Sequence, residues 1–151
     1  MALSKRAYIK QISLYLENKD YEKAYPLALE FYEEFPDEIM CHYLLAASAF
    51  WTGHYEQAIM HGRRSFNLVK SKDDMIASAL ITSSAYYELE RYEEGFRMLK
   101  AVEALKYSRE VEKMMFIFSL AMKDKKEAMK HAKNLYVLNE KAAKALLKKF
   151  L

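Results

Sequence analysis

The sequence predicts an all-α protein made of paired helices, and three observations carry that prediction. Glycine and proline are scarce, three and two among 151 residues, which leaves little material for the frequent tight turns of hairpin-rich β-structure. A short phrase recurs as Asp20-Tyr21-Glu22-Lys23-Ala24, His54-Tyr55-Glu56-Gln57-Ala58, Arg91-Tyr92-Glu93-Glu94-Gly95 and, more weakly, Asp124-Lys125-Lys126-Glu127-Ala128, with its final small residues 34, 37 and 33 positions apart. Apolar residues between these phrases fall at helical spacing.

A period of about 34 is that of a helix-turn-helix repeat whose units bury a continuous core by stacking. The chain resembles the tetratricopeptide repeat (TPR) family over nearly its whole length. In the second unit the family's first-helix pattern falls on His42, Leu45, Ala46 and Ala49, followed by Gly53 at the turn and by Ala58, Gly62 and Ser65 on the second helix. The first unit offers Tyr8, Gln11, Ile12 and Tyr15, then Ala24, Ala28, Phe31 and a terminating Pro36. The third offers Ala79, Thr82, Ser83 and Tyr86, then Gly95, Leu99 and Val102; the fourth Glu112, Met115, Phe116 and Ser119, then Ala128, Ala132 and Leu135. The usual Trp and first-helix Gly are missing, Phe116 is large where a small residue is typical, and only the first unit ends in Pro. The resemblance implies an α-α superhelix, a TPR solenoid of about four helix-turn-helix repeats plus a C-terminal capping helix.

The elements follow in order. Paired helices are expected near 4–18 and 20–35, 38–52 and 55–70, 73–89 and 92–105, and 109–122 and 125–138, with a ninth near 140–150. Small residues at Ala24, Ala58, Gly95 and Ala128 permit the close approach of two helix axes. Pro26 is expected to kink the second helix or delay its start. Asp73 or Asp74 is the expected N-cap of the fifth. Ala142, Ala143, Leu146, Leu147 and Phe150 give the ninth an apolar face, backed by outward lysines as a solenoid cap requires. This reading gives one domain over 1–151, with repeats near 4–37, 38–72, 73–107 and 108–139 and the capping helix over 140–151.

Bulk composition narrows the function classes. At 52% hydrophobic and 30% charged residues, the chain has ample material for a core. Residues 1–75 hold nine Lys and Arg against eleven Asp and Glu, a net of −2, while residues 76–151 carry +5. Nine lysines from Lys123 to Lys149 meet only Asp124, Glu127 and Glu140, and are expected as solvated helix faces. Cys41 lacks a disulfide partner and sits in an apolar run, as a buried thiol in a reducing cytoplasm would. No secretion leader is expected from the charged N-terminus, and no membrane span from apolar runs as short as Leu44–Trp51 and Met114–Met122.

No positive sign of catalysis is present. The glycines are isolated, so phosphate-loop and dinucleotide fingerprints are excluded. His42, His54, His61 and His131 form no paired-histidine metal motif, and are expected to be exposed or helix-terminal without a metal or cofactor. The resemblance implies a concave groove lined by first helices. Carried over, it falls on Ile9, Ser13, Met40, Tyr43, Ala47, Phe50, Trp51, Leu80, Ser84, Tyr87 and Ile117, with Ala77 beside them. The family's Lys and Asn clamp for acidic chaperone tails is absent, since those places hold Ile9, Ser13, Leu44, Ala77 and Ile81. The expected function is therefore a non-catalytic scaffold or adaptor for a protein or peptide segment with hydrophobic anchors. The alternatives are a small secretion-type chaperone, or nucleic-acid and anionic-surface binding through the lysine-rich C-terminal end. A homodimer would follow if Leu147, Phe150 and Leu151 stood exposed.

Overall fold

The structure, a computed structural model, describes residues 3–150 and the side chains of residues 3–149. Among these residues nine helices follow one another without a strand: α1 (Lys5–Glu17), α2 (Tyr21–Glu34), α3 (Ile39–Trp51), α4 (Tyr55–Leu68), α5 (Lys72–Glu88), α6 (Tyr92–Glu103), α7 (Arg109–Ala121), α8 (Lys125–Leu138) and α9 (Glu140–Phe150). Each helix begins and ends within two residues of its predicted span. The arrangement is an all-α helical repeat of the TPR type, with consecutive helices packed in sequence order within each unit. Two compact units divide the chain, Met1–Ala85 and Tyr86–Leu151, with the division inside α5.

What repeats is a turn. Lys19, Gly53, Glu90 and Lys123 stand between the helices of each hairpin, with φ of 59°, 82°, 59° and 61°. In every case the next residue's N–H donates to the carbonyl five positions back: Asp20 to Tyr15 at 2.8 Å, His54 to Ala49 at 2.8 Å, Arg91 to Tyr86 at 2.9 Å and Asp124 to Ser119 at 2.9 Å. This left-handed closure satisfies carbonyls that the end of a helix leaves without donors. Only Gly53 adopts it without a steric penalty; the three charged residues bear one of roughly 1–2 kcal/mol. The small residue of each phrase follows the left-handed residue by five positions, so the turn places it where the second helix meets the first.

Two glycines mark the closest approaches. A methyl group on Gly62 of α4 would lie 2.0 Å from Thr82 Oγ1 of α5, and one on Gly95 of α6 would lie 2.5 Å from the Phe118 ring of α7. Both are helix contacts, not breaks. Pro26 does not delay α2, which begins at Tyr21; it sits exposed in the second turn, where its missing N–H costs one backbone bond. The expected Asp73 or Asp74 cap is corrected: α5 begins at Lys72, and Ser71 Oγ accepts the Asp74 N–H at 3.0 Å. A serine hydroxyl is among the preferred acceptors at an N-cap, and Asp73 and Asp74 in the first turn complement the helix dipole.

In the first unit, Tyr8 stacks on Phe31 with ring centres 5.1 Å apart, and Phe35 meets both rings edge-on. Around them lie Ile12, Ala24, Ala28, Cys41 and Leu45, all fully buried. Helix α3 is apolar almost all round, since α1, α2 and α4 pack against it, and it buries every residue from Leu44 to Ala49. Its Ser48 hydroxyl is satisfied within the helix by the Leu44 carbonyl at 2.9 Å. Burial pushes the Cys41 thiol up to about 11, so it remains protonated and inert.

In the second unit, Phe116 fills the place where a small residue is typical. Ala128, Ala132 and Ala143 surround it with Leu135 and Leu146, and this compensates for its bulk. Helix α9 packs on α8 through that cluster, and its lysines stand exposed like those of α8. Leu147 is half-buried against the cluster; the Phe150 side chain and Leu151, also named for self-association, lie outside the described residues.

The histidines depart from expectation. His54 is exposed, but His42, His61 and His131 are buried inside their hairpins. His42 faces His61, and Glu112 faces His131, each pair 19 residues apart across the helices of one repeat. The equivalent first-helix place holds Tyr8 in the first repeat, whose ring stacks on Phe31 and whose hydroxyl donates to Glu30 Oε1 at 2.9 Å, and Ala79 in the third. Periodicity scores a histidine as surface material, whereas a partner on the facing helix lets its ring share a hydrogen bond inside.

Three substitutions check the turns and the close helix approach. Gly53→Ala should cost about 1 kcal/mol in urea unfolding, because nothing crowds the added methyl group and only the backbone conformation resists it. Lys123→Gly, at the same place in the last hairpin, should stabilise by up to about 1 kcal/mol; no gain would mean that its turn is not strained. Gly62→Ala should cost about 1–3 kcal/mol through overpacking against Thr82, and a neutral result would contradict the close α4–α5 approach.

Candidate functional site

Elements of the first unit enclose a pocket of about 280 Å³ between the start of α3, the end of α4 and the start of α5. Ile39, Met40 and Tyr43 contribute one wall from successive turns of α3; Asp74, Ala77 and Ser78 contribute the other from α5. Ser65 and Val69 close the end of α4, and Ser65 Oγ lies 2.9 Å from Ser78 Oγ, which ties that side of the pocket together. Met40 stands exposed and Tyr43 half-buried, so a large flexible side chain and a rigid ring are both open to a visitor. Burial first, then the Asp74 carboxylate, raise the Tyr43 pKa, so its hydroxyl keeps its proton at neutral pH. The pocket thus combines an apolar lining with a phenol and a carboxylate at its edge.

Only part of the expected groove gathers here. Met40, Tyr43 and neighbouring Ala77 line the pocket. Ile9 and Ser13 are half-buried on α1, Leu80 and Ser84 half-buried on α5, and Ala47 is buried with 7% of its surface exposed. Phe50 is half-buried between Trp51 and Tyr55, its centre 5.0 Å from the first ring and 5.8 Å from the second. Trp51 lies flat on Tyr21 at 5.1 Å yet remains 54% exposed, so one face is committed to packing and the other to solvent. In the second unit, Tyr87 packs edge-on against Tyr92 and Phe118, and Ile117 lines a separate cavity of about 390 Å³ with Arg109, Lys113, Ala145 and Leu146. Ile39, Ser65, Val69, Asp74 and Ser78 line the pocket without having been expected in the groove. Ser65 read as a packing position and Asp74 as a cap, and the acidic pair Asp73-Asp74 was the one signal that could have marked the rim.

Adjacent to Tyr43, His42 and His61 form a buried polar contact with ring Nδ1 atoms 3.3 Å apart. One nitrogen can donate only if the other keeps its lone pair, so the tautomers are complementary. Tyr32 meets both rings edge-on, at 5.5 Å and 4.9 Å. Burial, then the His42 partner and the Arg64 charge, lower the His61 pKa to about 4, and burial with Arg64 lowers that of His42. Both rings are therefore neutral at pH 7.

The family described as anaphase-promoting complex, cyclosome, subunit 3 matches residues 3–65, less than half of the chain, from the start of α1 into α4. This is a family of TPR-type repeats, and the match supports a TPR protein, in agreement with the fold. Repeats of this type serve protein–protein interaction and are typically non-catalytic. No curated protein matches the chain. Among the described residues no helix is long and apolar enough to cross a membrane.

The histidine pair gives a pH prediction. Because the folded state holds His61 below its ordinary 6.5, the unfolded chain takes up protons first as pH falls. The His61 contribution is complete above about pH 6.5 and drains away towards pH 4, by about 3 kcal/mol. Urea unfolding of His61→Gln beside the parent chain, at pH 7 and pH 4.5, checks it. The variant should show the smaller acid loss, and equal losses would count against the neutral pair.

Proposed function

We propose that the chain is a non-catalytic adaptor that holds a partner protein through a short segment whose large apolar side chain enters the α3–α4–α5 pocket. The pocket itself carries this reading. Its size, about 280 Å³, falls just below the usual range for cofactor and drug-sized sites and suits a side-chain anchor. Rigid aromatic surface such as Tyr43 supplies binding energy at little entropic cost, and Met40 adjusts to the shape of the anchor.

Charge refines the partner. Asp74 stands at the rim, and residues 1–75 carry a net −2, so a Lys or Arg flanking the anchor fits better than an acidic residue. This differs from capture of an acidic tail, for which the chain lacks the clamp residues. The protonated Cys41 thiol is compatible with a reducing cytoplasm.

Selection from a display library of short random peptides tests the proposal, with Trp51 fluorescence as a reporter of the folded chain. Selected peptides should share a large apolar residue beside a basic one, and should bind with little dependence on salt. Tyr43→Ala should weaken them by about 1–3 kcal/mol without changing helical content. Peptides that bind Tyr43→Ala equally well, or an effect confined to the melting temperature, would make Tyr43 a core residue and sink the proposal.

A further inference from the structure

The second unit contains a buried carboxylate–imidazole cluster that its packing does not require. Glu103 ends α6, Glu112 lies in the first turns of α7, and His131 is central in α8; one ligand atom from each lies within 4.8 Å of the others. His131 and Glu112 are fully buried. His131 Nδ1 lies 2.7 Å from Glu112 Oε2 and 3.3 Å from Glu103 Oε2, while Nε2 lies 3.0 Å from Glu127 Oε1. Asn134 Nδ2 donates to Glu112 Oε2 at 3.3 Å. We infer that Glu103, Glu112 and His131 bind one divalent transition-metal cation of the zinc class.

The first argument is an excess of acceptors. A neutral imidazole has one N–H and a charged one has two, and the Asn134 donor is already directed at Glu112 Oε2. Glu103 Oε2 and Glu112 Oε1 are buried and receive no hydrogen bond. The Glu112 side chain is 1% exposed, so water does not repair the deficit. Buried carboxylate oxygens without donors are costly, and a cation between them removes the cost. Nor does the repeat need charge at this place, since Tyr8 fills the equivalent position with an aromatic ring.

The second argument is coordination chemistry. Ligands held about 2.0–2.1 Å from a tetrahedral ion lie roughly 3.3 Å apart, which is the separation of His131 Nδ1 and Glu103 Oε2; His131 Nδ1 and Glu112 Oε2, hydrogen-bonded at 2.7 Å, would move apart as the ion replaces the proton between them. An imidazole nitrogen beside two carboxylates selects a zinc-class ion over magnesium or calcium, which prefer oxygen throughout. Glu127 then takes the other role such sites need. It accepts the Nε2–H and leaves the Nδ1 lone pair for the metal, as carboxylates behind metal-bound histidines do. Binding would release any Nδ1 proton to solvent.

Access is also present. Glu103 lines a cleft of about 660 Å³ with Lys100, Lys106, Tyr107, Lys130 and Asn134, and its side chain is 18% exposed. An ion entering there meets Glu103 first, and a fourth coordination position can be filled by water or by an anion drawn to the lysines.

Zinc titrated by calorimetry into the full chain, after removal of metals with a chelator, tests the inference. One ion should bind per chain and raise the melting temperature, and magnesium at the same concentration should do neither. Glu103→Gln, at the partly exposed edge of the cluster, should weaken zinc binding at least about tenfold with the helical spectrum unchanged; Glu127→Gln should weaken it by about 10–100-fold. If either variant fails to fold, cobalt added to the parent chain should broaden the His131 ring resonances at one equivalent. Absence of saturable zinc binding, zinc binding indifferent to Glu103→Gln, or unaltered His131 resonances would overturn the inference. The cluster would then be a pair of carboxyl groups sharing a proton.

Discussion

The left-handed residue in each hairpin turn is the constraint on which the remaining structure depends. Lys19, Gly53, Glu90 and Lys123 reverse the chain with the same backbone closure. Five residues later stand Ala24, Ala58, Gly95 and Ala128, small residues that permit close approach of neighbouring helices; a methyl group on Gly95 would meet the Phe118 ring of α7. Bulk at other places is then absorbed locally, as when alanines of α8 and α9 surround Phe116. The chain tolerates charged residues at three of the four turns because each strained conformation is held by a backbone hydrogen bond that a relaxed one would lose.

Within that frame, the contact between the two helices of a repeat is open to different chemistry. An aromatic stack fills it in the first repeat, an imidazole pair in the second, and a carboxylate–imidazole cluster in the fourth. The imidazole pair is neutral and shares one hydrogen bond, with His42 Nε2 left buried without a partner. In the fourth repeat acceptors outnumber donors, and buried ionic groups seldom stabilise a fold more than well-packed apolar ones do. The two compact units also differ in charge, −2 for the first and +5 for the second.

The sequence disclosed much of the fold and less of the candidate site. Helix bounds were legible because the repeated phrase marks every turn and the helices between follow one period. Met40 and Tyr43 were legible as surface because the inward face of a first helix is fixed by the residues that pack behind it. Ser65 and Asp74 were not, since a serine and an aspartate have the same local signature whether they cap a helix, pack, or line a pocket. The buried histidines were misread for a similar reason: His61 finds its partner 19 residues away, beyond any window that detects helical periodicity. Trp51 was legible as aromatic surface, but its stacking on Tyr21 depends on the preceding hairpin.

By itself the sequence determined the helices, their pairing and their number, because these follow from local propensity and from a repeat that returns at a fixed interval. Gly53 alone announced the turn conformation; the other three left-handed residues carry no such local signal and are held in it by the same backbone closure. Tertiary structure decided which polar residues lie inside, since burial of a histidine or a glutamate depends on what stands opposite. Pairing across 19 residues is a property of two helices in contact, and neither helix carries it alone.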